Sequence, residues 1–120
     1  MNHHRINDIE LPAQDLDAVK SFYQQALDWT FTAFGPDDRA FKDGELDGGF
    51  YRSPRSSSAA QCAALVVLYS RDIKATRQAV MARGGRLVRD TLDFPGGRRF
   101  DFADPVGNEL AVCSEAPAPA

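Results

Sequence analysis

The sequence predicts an α+β fold built from two tandem βαβββ modules, on three observations. Each half reads strand, helix, strand, strand, strand. The helix caps recur, Asp15-Leu16 answering Asp72-Ile73, and Phe41 answers Phe100, with offsets of 57 and 59 residues. The stretch from Phe100 to Val112 reads as strand, turn, strand, because Asp104 can accept amide hydrogen bonds, Pro105 pre-sets φ and Gly107 permits a positive φ.

In chain order, Ile6 to Leu11 alternates as a strand, with Ile6, Asp8 and Glu10 on one face and Asn7, Ile9 and Leu11 on the other. Pro12 is expected to end it. Asp15 caps a helix over 16–27, whose apolar positions Leu16, Val19, Phe22, Tyr23, Ala26 and Leu27 form one stripe. Trp29 to Phe34 alternates aromatics with threonines and favours a strand, which Gly35-Pro36-Asp37-Asp38 breaks. Short strands follow at 39–42 and 49–52, joined through the Asp43-Gly44 turn. The serine-rich run 53–60 has neither period and reads as a mobile linker. It divides modules of about 5–53 and 61–114, with 54–60 between them, inside one domain spanning 1–120.

Cys62 to Tyr69 is a nearly continuous apolar run, expected as a strand buried on both faces. Asp72 caps the second helix, with Ile73, Thr76, Ala79 and Val80 inward and Gly84-Gly85 at its end. Strands at 87–94 and 98–103 flank the Pro95-Gly96-Gly97 turn. The final strand covers 108–114, and 115–120 read as a frayed tail.

Composition narrows function by exclusion. A net charge of −3 leaves no general basic field for nucleic acid or an anionic membrane. No apolar run approaches the roughly 18 residues that span a bilayer, and no signal peptide opens the chain. Two cysteines are too few for a secreted disulfide scaffold, so a cytoplasmic location with free, buried thiols is expected. Phosphate loops, dinucleotide fingerprints and nucleophile elbows are all missing.

One set of motifs goes further. Glu10-Leu11-Pro12-Ala13-Gln14-Asp15-Leu16, Phe22-Tyr23 and Leu27-Asp28-Trp29 lie in the first half. Arg71-Asp72-Ile73, Gly84-Gly85, Pro95-Gly96-Gly97-Arg98-Arg99 and Asp104-Pro105-Val106-Gly107-Asn108 lie in the second. In this order the chain resembles the vicinal oxygen chelate superfamily, which includes glyoxalase I, extradiol dioxygenases and bleomycin-resistance proteins. The resemblance implies curved mixed sheets around a cavity, a small-molecule ligand, and a homodimer whose site both chains shape. It also implies metal ligands, typically histidine and glutamate, on the first and last strands of each module. Those positions fall at Asp8, near Val66, at Ala111 and, loosely, near Gly49. Valine and alanine have no lone pair to donate, and a catalytic metal ordinarily needs about three protein ligands. No metal or other cofactor is therefore expected, the alternative being a divalent metal at a rebuilt site. Adjacent His3 and His4 would point to opposite faces of a strand.

The residues that remain as candidates are few. Asp8 and Glu10 share a strand face about 7 Å apart; they would bind a cation, move a proton, or pair with Arg98 or Arg99 as structural salt bridges. Glu109, Ala111 and Cys113 share a face of the last strand, Glu109 being a third candidate acid. The catalytic candidates are thus Asp8, Glu10 and Glu109. The ligand-lining candidates are Asp8, Glu10, Trp29, Phe50, Val66, Arg98, Ala111 and Cys113. Cys62 and Cys113 are expected on neighbouring strands without a base to form thiolate. Arg52, Arg55, Arg86, Arg89, Arg98 and Arg99 offer an anion site or an ordinary solvated face. Two functions follow: a metal-independent small-molecule-binding protein of the bleomycin-resistance kind, or a glyoxalase-like lyase or isomerase.

Overall fold

A computed structural model describes residues 3–116. The first half runs β1 (Asp8–Ala13), α1 (Leu16–Leu27), β2 (Thr30–Gly35), β3 (Asp38–Lys42) and β4 (Asp47–Arg52). A single 3-10 turn, Ala59–Gln61, leads to β5 (Val66–Tyr69), α2 (Ile73–Ala82), β6 (Arg86–Phe94), β7 (Gly97–Ala103) and β8 (Glu109–Glu115). Each half forms its own four-stranded mixed sheet, β1-β4-β3-β2 and β5-β8-β7-β6, so the second repeats the topology of the first. In both, the first strand runs parallel to the fourth, as a crossover through the helix requires. The fold is α+β, with two βαβββ modules in tandem.

Side-chain alternation decides what each sheet buries. Ile9, Leu11, Phe31, Phe41 and Phe50 leave sheet 1 on the side of α1; Phe100, Phe102, Leu110 and Val112 leave sheet 2 on the side of α2. Tyr23 stacks on Trp29 at 4.5 Å between ring centroids, and Trp29 stacks on Phe41 at 4.4 Å. Gly48 permits this packing, because a Cβ there would meet the Phe41 ring and the Ile9 carbonyl. The modules meet where α1 packs on α2 and Phe22 approaches Phe102 at 6.0 Å. Both helices are capped as expected: Asp15 accepts from the Ala18 amide at 3.0 Å and Asp72 from the Ala75 amide at 3.2 Å.

Five expectations are corrected. The first strand begins at Asp8 and continues through Pro12 to Ala13. β1 is an edge strand pairing only with β4. The Pro12 carbonyl points away from β4 and accepts from Asn108 Nδ2 at 2.7 Å, so its missing amide hydrogen falls on the outer edge, where no ladder bond is lost. The strand expected over Cys62–Tyr69 shrinks to Val66–Tyr69, with Val67 and Tyr69 exposed on one face. Cys62 is instead the left-handed residue (φ 57°) that ends the 3-10 turn, so the two cysteines do not share neighbouring strands; Cys62 is exposed and Cys113 half-buried. The linker is tied down: the Ser57 amide donates to Asn108 Oδ1 at 2.8 Å, and the Glu109 amide to the Ser57 carbonyl at 2.8 Å. Glu115 completes the last strand, while 117–120 of the expected tail lie outside the described residues. Among the described residues no helix is long and apolar enough to cross a membrane.

Candidate functional site

The Asp104–Asn108 turn fixes how the two sheets are presented. Asp104 Oδ1 accepts from the Val106 and Asn108 amides at 3.0 and 2.9 Å, closing the turn on itself. Gly107 takes the positive φ of 92° that the turn needs. Asp104 Oδ2 accepts from the Tyr23 hydroxyl at 2.9 Å, and Asn108 reaches Pro12, so one turn of module 2 grips a helix and a strand of module 1. Burial raises the Asp104 carboxyl above its ordinary value against the lowering effect of these donors. The Tyr23 hydroxyl is held well above its own by burial and by Asp104. Tyr23 therefore stays a neutral donor at every working pH.

With the helices on one side of each sheet, the opposite faces are left open. On sheet 1 the open face carries Asp8 and Glu10 from β1, Asp47 and Tyr51 from β4, and Asp38 and Lys42 from β3, all exposed. Gly49 and Ala40 lie in the same row as Glu10. A Cβ on Gly49 would come within 2.9 Å of Glu10 Oε2, so the Glu10 carboxyl lies flat over this glycine floor. Partial burial there raises the Glu10 pKa, and neighbouring Asp8, sharing a hydrogen bond and repelling a second negative charge, raises it further, as does Asp38.

Sheet 2 presents a different face. Val67, Ala111, Asp101 and Arg89 form one row; Tyr69, Cys113, Arg99 and Leu92 form the next. Arg99 makes a two-pronged ion pair with Asp101 at 3.0 and 3.3 Å, which neutralises the centre. Around it Val67, Tyr69, Leu92 and Phe94 are exposed, apolar surface that water contacts directly.

Several expected site residues stand elsewhere. Phe50 is wholly buried in the aromatic core on the helix side, whereas Trp29, stacked in the same core, has an edge in a cleft of about 770 Å³ that Val67 and Tyr69 also line. Val66 packs into the core of module 2, and the open-face residue of β5 is its neighbour Val67, in register with Ala111. In a continuous apolar run no polar residue marks which parity faces out. Arg98 lies on the helix side of sheet 2 and pairs with Asp93 at 2.7 Å, while Arg99 pairs with Asp101, so neither reaches Asp8 or Glu10. Glu109 Oε1 accepts from the Ala59 amide at 2.8 Å and ties down the linker. Asp8, Glu10, Ala111 and Cys113 do lie on the open faces. Asp38, Asp47, Val67, Tyr69, Arg99 and Asp101 join them; counting alternation from Asp8 and from Ala111 finds Asp47, Arg99 and Asp101 once the strand pairing is known.

The metal positions implied by resemblance do not fit a metal. Asp8 supplies one donor, and Ala111, Val66 and Gly49 supply no side-chain donor. Among the described residues no three His, Cys, Asp or Glu side chains converge.

Comparison with known proteins agrees with this architecture. The profile of the Glyoxalase/Bleomycin resistance protein/Dioxygenase superfamily matches residues 5–112. A glyoxylase-like domain-containing protein of Didymella fabae is 28% identical, the alignment covering 93% of this chain and 94% of that one. Among solved structures, a glyoxalase-related enzyme from Fulvimarina pelagi superposes with a TM-score of 0.77 at 19% identity, covering 93% and 88% of the two chains. Fosfomycin resistance protein FosX from Mesorhizobium loti superposes with a TM-score of 0.74 at 12% identity, covering 97% and 95%. At such identities these two structures speak for the fold alone. Together with the match over nearly the whole chain, the repeated modules place this protein in the Glyoxalase/Bleomycin resistance protein/Dioxygenase superfamily.

Proposed function

We propose that the protein binds a small cationic or polar aromatic molecule without a metal, in a cavity formed when the open faces of two copies close on one another. The observation that carries this reading is the Glu10 carboxyl lying over the Gly49 floor with Asp8 beside it, while the corresponding strand of module 2 presents Val67 and Tyr69 instead of acids. Asp8, Glu10, Asp38 and Asp47 outnumber the one lysine, Lys42, on this face and attract a cationic group, and the apolar surface of Val67, Tyr69, Leu92 and Phe94 offers the walls that small-molecule sites use. A second copy of the chain is the expected partner, because either open face alone leaves a bound ligand half in water.

The proposal is tested by metal analysis followed by thermal-shift screening. Purified protein free of stoichiometric metal, stabilised by amines or polar aromatics and losing that response in Asp8→Asn and Glu10→Gln, is the expected result. Stoichiometric zinc, nickel, iron or manganese removed by the Asp8 substitution would overturn it. Sedimentation of the full chain should give a dimer.

A second reading, a glyoxalase-like lyase or isomerase, is favoured by the Glu10 carboxyl, which burial and Asp8 raise above its ordinary value, the direction a general acid–base needs. Turnover of aldehyde–thiol adducts that disappears in Glu10→Gln would select it over simple binding.

A further inference from the structure

Away from both open faces, α2 and the β6–β7 hairpin enclose a cleft of about 300 Å³ lined by Ile73, Lys74, Arg77, Gln78, Thr91 and Arg98. Its chemistry is unusual for this chain. The protein carries 17 acidic residues against 14 basic ones, yet none of the cleft's lining residues is acidic. Four further clefts among the described residues each include at least one aspartate or glutamate. The groups lining this one are donors: three cations, an amide and a hydroxyl. Lys74 and Arg98 also line an adjoining cleft of about 290 Å³, where Arg71 adds a fourth cation and Asp72 and Glu115 add two carboxylates.

We infer that this cleft binds a dianionic oxyanion, either free phosphate or the phosphate group of an ester. Two carboxylates stand near, and both are weak competitors. Asp90 pairs with Arg77 through two bonds at 3.1 and 3.4 Å and Asp93 with Arg98 at 2.7 Å, but their own side chains are 65% and 75% exposed, so a phosphate displaces them at the cost of two solvated ion pairs. Ion pairs so open to water contribute little, whereas the arginine side chains are only 36% and 29% exposed and are held with their stems against the protein. A phosphate entering the cleft would find two guanidinium forks able to pair with it bidentately and the Lys74 ammonium as a point charge. Arg98 alternates with Phe100 on the helix side of β7, so the cleft opens on the opposite side of sheet 2 from Ala111 and Arg99. A ligand there leaves the open faces untouched, and the inference stands apart from the proposed function.

The experiment is a titration of the full-length protein with inorganic phosphate and, separately, phenyl phosphate, against chloride at matched ionic strength, followed by amide chemical shifts. Saturable shifts centred on Lys74, Gln78, Thr91 and Arg98 are expected with at least one phosphate probe. Affinity should fall at least about tenfold, or roughly 1.4 kcal/mol, in the double variant Lys74→Gln/Arg98→Gln. Response to both probes means a site for the phosphate group itself; response to phenyl phosphate alone means a site for esters. Lys20→Gln, on the other helix, should change nothing. Shifts that never saturate, that centre on another part of the chain, or that survive the double substitution would overturn the inference.

Discussion

The two modules share element order, strand order and helix-cap chemistry, and differ in what their open faces carry. Residues 5–53 hold 10 acidic and 5 basic side chains, whereas 61–114 hold 6 and 8, so the first module is acidic and the second mildly basic. The excess acid of module 1 includes Asp8, Glu10, Asp38 and Asp47, all on one exposed sheet face. Module 2 closes its central charge internally through Arg99 and Asp101 and surrounds it with apolar side chains. A repeated backbone thus presents two unlike open faces, one acidic and one with exposed apolar surface. Fold follows from the helix-side residues of the repeat, and ligand chemistry from the residues that alternate with them.

The most severe way to disturb this comparison is to cut the junction that holds the halves in place. Asn108→Ala would leave the Pro12 carbonyl without its donor and the Ser57 amide without its acceptor. A loss of about 2–4 kcal/mol in urea denaturation is expected, since each buried orphaned group costs roughly 1–3 kcal/mol. A loss below about 1 kcal/mol would mean that the modules are held by apolar packing alone. Tyr23→Phe removes a single donor and should cost about 1–3 kcal/mol. It should also push the Asp104 carboxyl further up, because the Tyr23 hydroxyl is one of the groups holding it down.

Adjacent glycines on opposite faces of β4 give a finer test. Gly48→Ala drives a methyl group into the Phe41 ring and the Ile9 carbonyl, and overpacking of this kind typically costs about 1–3 kcal/mol. Gly49→Ala meets only the end of the flexible Glu10 side chain, which can swing into water. Its expected cost is under about 1 kcal/mol, accompanied by a fall in the Glu10 pKa as the carboxyl leaves the floor. Equal losses at the two positions would contradict the assignment of one face to the core and the other to the site.

How far the sequence carries this comparison depends on local polarity. Alternation in Ile9, Leu11, Asp8 and Glu10 announces both faces of β1, because the two parities differ in chemistry. The helices are equally plain from Asp15 and Asp72 and the apolar stripes behind them. Val66 to Tyr69 hides its parity, since all four residues are apolar, and the open-face position moves from Val66 to Val67 only through the register with Ala111. Phe50 is hard to place for a related reason: aromatics serve a core and a pocket equally well, and only its packing on Tyr23 and Phe41 puts it in the core, while Trp29 stacks in that core and still edges a cleft. The serine-rich linker reads as mobile because its anchors, Asn108 and Glu109, lie about fifty residues away in the chain. Long-range hydrogen bonds leave no local pattern.

The smallest expected effect isolates the acid of module 1. Glu10 has a raised pKa in the folded protein, so the folded state holds its proton more tightly than the unfolded chain does. The stabilisation this brings is complete below the unfolded value and is lost as pH rises through the folded one. At neutral pH the ionised Glu10 therefore opposes folding slightly, with Asp8 and Asp38 repelling it. Glu10→Gln removes that repulsion at neutral pH. The variant should melt slightly above the parent near pH 7 and should lose this advantage near pH 4, where the parent's carboxyl is protonated. Asp104 is raised in the same direction, but it is present in both proteins and cancels in the difference. A difference in melting temperature that stays constant between these pH values would mean that Glu10 stands in ordinary solvent. Module 1 would then lack the raised carboxyl that distinguishes its face from that of module 2.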